Sequence, residues 1–486
     1  MEKKGKYKYK RDPNTKLWIV LGVTLAVVLA LVLALVFLFK STEPTPQEDP
    51  KPPVDSTVDP GTSDDPTNNP DDPAVNPDDP TTDPGTTDDP AVTPEVPAPG
   101  SEAEALAKAD ELAKGYFYDE AIALLASYDS AAAKQKSMDI EKLKNGLVKY
   151  EGKIYHVFFH SLIIDTDLAF DNKGSSARNY NEVMTTVSEF KAMLPLLQEK
   201  GFVLYDITET CEYKDGKVTP KPIYLPAGKK PLILSIDDVN YYTYMVDDGF
   251  ARYLDVDENG RVVTMVGGTP IRHNDAKKHV KGYKGCEISY EGDVMPILDS
   301  YVAEHPEFSF RGAKGIVAIT GYEGAFGYRI TDPSWFTEEE QTQMQNKVRE
   351  VANALRNTGW QIANHSYTHN QYWANKTMTM EQLKYDTGRW INDIMPYVGE
   401  THILISPFGV TFSPSDERMK YITQELGFYI YCPVGSTLNT QWNGTYMLNE
   451  RLNLDGMTML WYPERVMRFF FDPTPIIDPA RPELTK

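Results

Sequence analysis

The chain has 486 residues and a net charge of −21, from 70 Asp and Glu against 49 Lys and Arg. That length has room for two or three domains, and the acidity excludes a nucleic-acid partner, because phosphate binding needs a basic face. Cys211, Cys286 and Cys432 include no CxxC pair, which excludes a disulfide scaffold or a cysteine-rich zinc module and leaves at most one bridge, its pair undefined.

Residues 1–16 form a basic tail carrying Lys3, Lys4, Lys6, Lys8, Lys10 and Arg11, and residues 17–39 are an overwhelmingly apolar run. The run exceeds the roughly 20 residues needed to cross a bilayer core and the about 7–15 of a signal peptide's apolar region. No A-x-A cleavage site follows it. It predicts an uncleaved transmembrane helix, and the preceding lysines place the N-terminus in the cytoplasm. The expectation is a single-pass protein of the cell membrane with everything after Lys40 outside.

Residues 40–100 are rich in Pro, Asp, Thr and Asn, and Asp59–Pro66 (DPGTSDDP) nearly recurs as Asp83–Pro90 (DPGTTDDP). Too few apolar residues are present to build a core, so the segment reads as a disordered stalk. It holds part of the net negative charge, which therefore describes a linker and says nothing about a substrate. Residues 101–150 have helical spacing (Ala105, Leu106, Ala109, Leu112, then Ala121, Ile122, Leu124, Leu125) broken at Gly115–Tyr118. A helical hairpin acting as a spacer is expected.

From 151 to 486 strands alternate with helices. Strands are expected at Ile154–Ile164, Phe202–Tyr205, Pro231–Ile236, Gly315–Thr320, Trp360–Ala363, His402–Ser406 and Phe428–Cys432. Helices are expected over Glu182–Lys200, over Glu338–Asn357 and near Ser415–Leu426. Such alternation gives an α/β fold with a parallel sheet, open or closed into a barrel. Catalytic groups then belong just past the C-terminal ends of the strands.

Leu232–Ile236 runs directly into Asp237 and Asp238, and Trp360–Asn364 runs into His365-Ser366-Tyr367-Thr368-His369. Two histidines four apart and a carboxylate from a neighbouring strand can converge on one divalent ion. A second, non-ligating carboxylate beside them can take a proton from water. Asp247-Asp248-Gly249 lacks an apolar strand feeding it, and Asp255–Gly260 reads as a β-hairpin turn rather than a calcium loop, since Val266 stands where glutamate is needed. Gly312–Gly327 lacks the Gly-Lys-[Ser/Thr] of a phosphate loop.

The stretch Ser235-Ile236-Asp237-Asp238 resembles the T-F-D-D-G motif of the NodB-homology polysaccharide deacetylases, carbohydrate esterase family 4. Asn364–His369 resembles that family's N-H-[ST]-x-x-H, and Ser406-Pro407-Phe408-Gly409 the tail of its R-P-P-[YF]-G. Val239 replaces the first motif's glycine, Ile405 stands at the arginine that orients the base, and no L-x-H follows. Val157–Ser161, an apolar strand ending in His160, is similar to the Y-H strand of the extracellular poly-N-acetylglucosamine deacetylases, the branch closest in motif order.

The resemblance implies a distorted (β/α)7 barrel that removes N-acetyl groups from amino sugars of peptidoglycan or poly-N-acetylglucosamine. Asp237 would be the base and His160 the general acid. Asp238, His365 and His369 would hold one divalent metal ion, zinc first, with cobalt, nickel or iron compatible. Tyr322, Tyr367, Phe408 and Arg451 are candidates for the substrate groove. Partners are then the polysaccharide and, through the anchor, a membrane; oligomeric state is not legible. Two alternatives stand beside this reading: a glycan-binding head without turnover, motivated by Ile405, and a carbohydrate O-acetyl esterase on the same scaffold.

Overall fold

Ser101 precedes Glu104 by three residues, the spacing of a capping box. In the computed structural model, which describes residues 100–171, 176–272 and 280–484, the Ser101 hydroxyl accepts from the Glu104 N–H and the Glu104 carboxylate accepts from the Ser101 N–H. Helix α1 (Glu102–Lys114) starts there; α2 (Tyr118–Leu125) and α3 (Ala131–Asn145) follow. Ala105, Ala109 and Leu112 pack with Ala121, Leu125 and Val203 in a small core. Arg311 grips Glu120 through both guanidinium ends, at 3.2 and 2.6 Å. The segment expected as a spacer hairpin is thus three helices packed against the rest.

The apolar runs become strands with helices between them. In chain order these are β1 (Tyr155–Phe159), α4 (Ser176–Val183), α5 (Val187–Glu199), β2 (Phe202–Leu204), β3 (Lys230–Ile236) and α6 (Val294–Glu304). Then come β4 (Ile316–Ile319), α7 (Glu338–Asn357), β5 (Gln361–Asn364), α8 (Met380–Asp393), β6 (Ile403–Ile405), β7 (Ile430–Cys432), β8 (Thr440–Trp442), β9 (Met447–Asn449) and β10 (Leu452–Asn453). Among the described residues these ten strands form one sheet in the order β8-β9-β7-β6-β5-β4-β3-β1-β10, with β2 beside β3. All neighbours are parallel except β8 and β9.

Alternation along each strand sorts the side chains onto two faces. Val157, Leu234, Val317, Ile362 and Leu404 pack under the helices with Phe190, Leu194, Val351 and Leu355. Ile233, Ile316, Ala318, Ala363, Ile405 and Cys432 fill the other face. Parallel register then brings the ends of β1, β3, β4, β5 and β6 to one rim, where the polar motif residues follow.

Three expectations are corrected. The sheet does not close into a distorted (β/α)7 barrel: its ladder is an open, curled half-barrel running from β8 to β10. The chain leaves the ladder after β9, β10 is only two residues long, and its link back toward β7 is the single bridge Val434–Arg451 rather than a ladder. The single-pass membrane placement is also overturned: among the described residues no helix is long and apolar enough to cross a membrane. The run 17–39 on which it was read, with the tail 1–16 and nearly all of 40–100, lies outside the described residues. The helix expected to start at Glu182 starts at Val187, because Thr186 and Glu189 form a capping box and α4 is a separate helix.

The turn at Asp257 is the expected hairpin, joining Tyr253–Val256 to Val262–Arg272. Cys211, Cys286 and Cys432 are all unpaired.

Candidate active site and metal centre

β3 delivers Asp237 to the rim, pinned by its N–H donating to the Phe159 carbonyl of β1 at 2.8 Å. Its carboxylate receives a two-pronged grip from Arg451: Nη1 to Oδ1 at 2.7 Å and Nη2 to Oδ2 at 3.0 Å. Burial alone would raise the Asp237 pKa, but Arg451 and the nearby histidines outweigh it and hold the carboxyl below its ordinary range. Asp238 follows with a left-handed backbone (φ 58°), uncommon for a residue other than glycine. The Tyr242 hydroxyl donates to Asp238 Oδ1 at 2.7 Å and lies 2.9 Å from the Thr320 hydroxyl at the end of β4.

β5 delivers the histidines. His365 Nδ1 lies 2.8 Å from the Ile405 carbonyl. A carbonyl only accepts, so Nδ1 carries the proton and Nε2 presents its lone pair. That Nε2 lies 3.9 Å from Asp237 Oδ2 and 4.0 Å from Asp238 Oδ1. The following loop coils tightly: the Ser366 hydroxyl accepts from the His369 N–H at 2.9 Å, with Ser366 at φ 66° and His369 at φ 44°. Asp386 of α8 fastens the loop by accepting from the Tyr367 and Thr368 N–H groups at 3.0 Å and the Thr368 hydroxyl at 2.6 Å.

One ligand atom each of Asp238, His365 and His369 lies within 4.8 Å of the others. The donor chemistry fits a divalent transition metal. Burial lowers the His365 pKa, so the imidazole is neutral. For Asp238 burial opposes ionisation, yet His369, His365 and His160 bring the carboxyl down to about 2. Two imidazoles and one carboxylate, with an orienting hydrogen bond behind His365, form a three-ligand set that leaves positions for water and substrate.

The third strand end supplies His160, whose Nδ1 donates to the Val183 carbonyl at 3.2 Å and whose Nε2 lies 4.0 Å from Asp238 Oδ2. His160, Asp237, Asp238, His365 and His369 line one pocket, walled by Phe158, Tyr180, Met184, Tyr242, Tyr244 and Phe408. The Phe408 ring lies against His369 tilted by 42°, with ring centres 4.4 Å apart.

The remaining groove candidates fall elsewhere. Tyr322 is half exposed and does not line the pocket; its ring sits 5.6 Å from that of Tyr242. Tyr367 is also outside the pocket, with its hydroxyl accepting from Arg389 at 2.7 Å. Arg451 is corrected outright: it is fully buried, so it faces Asp237 and not a groove. Its Nε donates to the Cys432 carbonyl at 3.2 Å and its guanidinium lies 4.2 Å from the centre of the Phe158 ring.

Sequence reasoning missed this partner because it sought an arginine at Ile405, and missed Asp386 because its role is set by packing of α8. Tyr180 and Met184 were missed with α4. Asp247 and Asp248 are engaged by Arg252 at 2.9 Å and Tyr180 at 2.8 Å, and neither lines the pocket.

No family model and no curated protein matches the chain. A solved structure of a de-N-acetylase from Aggregatibacter actinomycetemcomitans is similar at 15% identity and a TM-score of 0.35, covering 63% of this chain and 96% of that one. The chemistry open to the site is therefore read from its own side chains. A ligand set of two imidazoles and one carboxylate sits beside a buried carboxylate (Asp237) and an imidazole (His160), both facing one pocket.

Proposed function

We propose that the protein is a metal-dependent hydrolase that removes N-acetyl groups from N-acetylated amino sugars of a cell-wall or extracellular polysaccharide, peptidoglycan or poly-N-acetylglucosamine. The observation that carries this reading is the convergence of Asp238, His365 and His369 on one point beside an Asp237 held by Arg451. A divalent ion there (zinc, cobalt, nickel or iron) would polarise an amide carbonyl and lower the pKa of water toward about 7.

The chain's own residues do the rest. Each Asp237 oxygen spends one lone-pair direction on Arg451, leaving another toward the pocket. Asp237 takes a proton as water oxygen bonds to the carbonyl carbon. His160, turned by its Nδ1–H bond to Val183, carries a second proton on Nε2 for this step and donates it to the departing nitrogen, becoming the neutral imidazole. Protonation there lets the C–N bond break, giving acetate and a free amine. Tyr242, Tyr244 and Phe408 offer aromatic faces to sugar rings. Arg451 holds Asp237 although Ile405 stands at the motif arginine, which favours turnover over a head that only binds.

The test is acetate release from N-acetylchito-oligosaccharides and peptidoglycan, run beside O-acetylated sugars. His365→Ala should abolish release while circular dichroism and melting stay near wild type; Asp237→Asn should abolish release with the wild-type circular dichroism kept but the melting point lowered, because Arg451 loses its counter-charge. Equal activity in the double variant would refute the assignment, and release from O-acetyl substrates alone would reassign the protein as an esterase.

A further inference from the structure

β1 carries a histidine, His156, on the face opposite the helix-packed side and fully buried. Burying an imidazole without partners is costly, and here both nitrogens are engaged. Nδ1 lies 2.7 Å from Asn449 Oδ1, and Nε2 lies 3.0 Å from the Ser235 hydroxyl. Asn449 Nδ2 donates onward to the Thr440 hydroxyl at 3.0 Å and to the Ile154 carbonyl at 3.4 Å, so its Oδ1 must accept. His156 therefore carries its proton on Nδ1 and offers a lone pair at Nε2. Ser235 donates into that lone pair, which frees its oxygen to accept from Arg451 Nη1 at 3.1 Å. The same Nη1 donates to Asp237 Oδ1 at 2.7 Å.

Every bond in this chain runs one way, from Arg451 through Ser235 and His156 to Asn449. A serine whose proton had no fixed acceptor would point it toward Arg451 part of the time and repel the guanidinium. Burial and the neighbouring Arg451 charge push the His156 pKa down to about 3, so the ring stays neutral and the lone pair persists across the working pH range.

We infer that Asn449, His156 and Ser235 form a buried relay that locks the Arg451 fork in register with Asp237, and that they are positioning residues for the base. The kinetic part of this rests on the hydrolase reading above; the geometric part does not. Mispositioning a reacting group by about 1 Å lowers rate on the order of 100-fold.

The test uses the full chain with arginine-selective ¹⁵N labelling, Arg451 being assigned by Arg451→Lys, together with acetate release from N-acetylchitopentaose. In the wild type the Arg451 Nη–H signals are separately resolved, because the guanidinium cannot rotate. His156→Phe, which removes the acceptor at similar volume, and Ser235→Ala, which deletes a single oxygen, should both merge those signals. Both should lower kcat on the order of 10- to 100-fold with KM within about two-fold. His156→Gln, whose amide can accept from Ser235 and donate to Asn449, should restore most of both.

If His156→Phe does not fold, Ser235→Ala decides. Resolved Arg451 signals in the variants, or wild-type kcat with those signals merged, overturns the relay. A wild type that releases no acetate overturns the hydrolase reading instead, and the Arg451 signals alone then judge the relay.

Discussion

At Arg451 the buried ion pair is also a stability element, because removing one partner leaves a charge uncompensated in the interior. Arg451→Met should lower unfolding free energy by about 3–5 kcal/mol and nearly eliminate acetate release. Adding Asp237→Leu should recover much of the stability and none of the activity. Urea denaturation of the single and double variants checks this, and an unchanged midpoint in Arg451→Met would mean the pair carries no stability. The ligands were legible in the sequence because each sits within a few residues of a strand end. Arg451 was visible only as a residue near the missing third motif. Its contact with Asp237 is made by the chain crossing from β9 to β10 beside β1, which no local window contains.

At the scale of elements, two buried carboxylates tie loops to helices around the rim. Asp386 holds the histidine loop on α8, so Asp386→Ala should weaken metal affinity by about 10- to 100-fold, measured by zinc titration calorimetry, with the fold retained. Asp293, which caps α6, accepts from the Leu162 N–H after β1 at 3.1 Å and from the Tyr241 hydroxyl after β3 at 2.7 Å.

Burial pushes the Asp293 carboxyl up to about 6. The folded state thus binds its proton more tightly than the unfolded chain, and the stability this contributes is complete below pH ~4 and lost as pH rises through about 6. Asp293→Asn does not titrate. Relative to wild type it should gain about 3 kcal/mol between pH ~4 and pH ~7, read as the difference in urea midpoints; a constant difference across that range would refute the buried-proton account.

Helix α7 was legible at both ends because Thr337 and Glu340 form a capping box and Gly359 follows the last turn. The start of α5 was not, because the pattern of α4 runs into it without an apolar break.

Across the whole molecule, the C-terminal tail closes on the pocket wall. Arg481 grips Glu189 of α5 at 2.6 and 2.7 Å and donates to the carbonyls of Asn181 and Met184 at 2.8 and 2.7 Å. Both charged groups are buried. Arg481→Ala should destabilise by about 3–5 kcal/mol and raise KM, since Met184 lines the pocket; thermal melting with a KM measurement checks it. The α/β alternation was readable from strand and helix periodicity. Closure of the sheet was not, because it depends on whether residues 450–453 add a full strand, and only two of them pair in the ladder.

The most direct test of the central claim measures metal content and acetate release on one preparation of the full chain. Bound divalent metal, acetate release from chito-oligosaccharides or peptidoglycan, loss of release on chelation and its return with zinc or cobalt are the predicted result. Release that persists after complete metal removal, or bound metal with no release from either polymer, would contradict it.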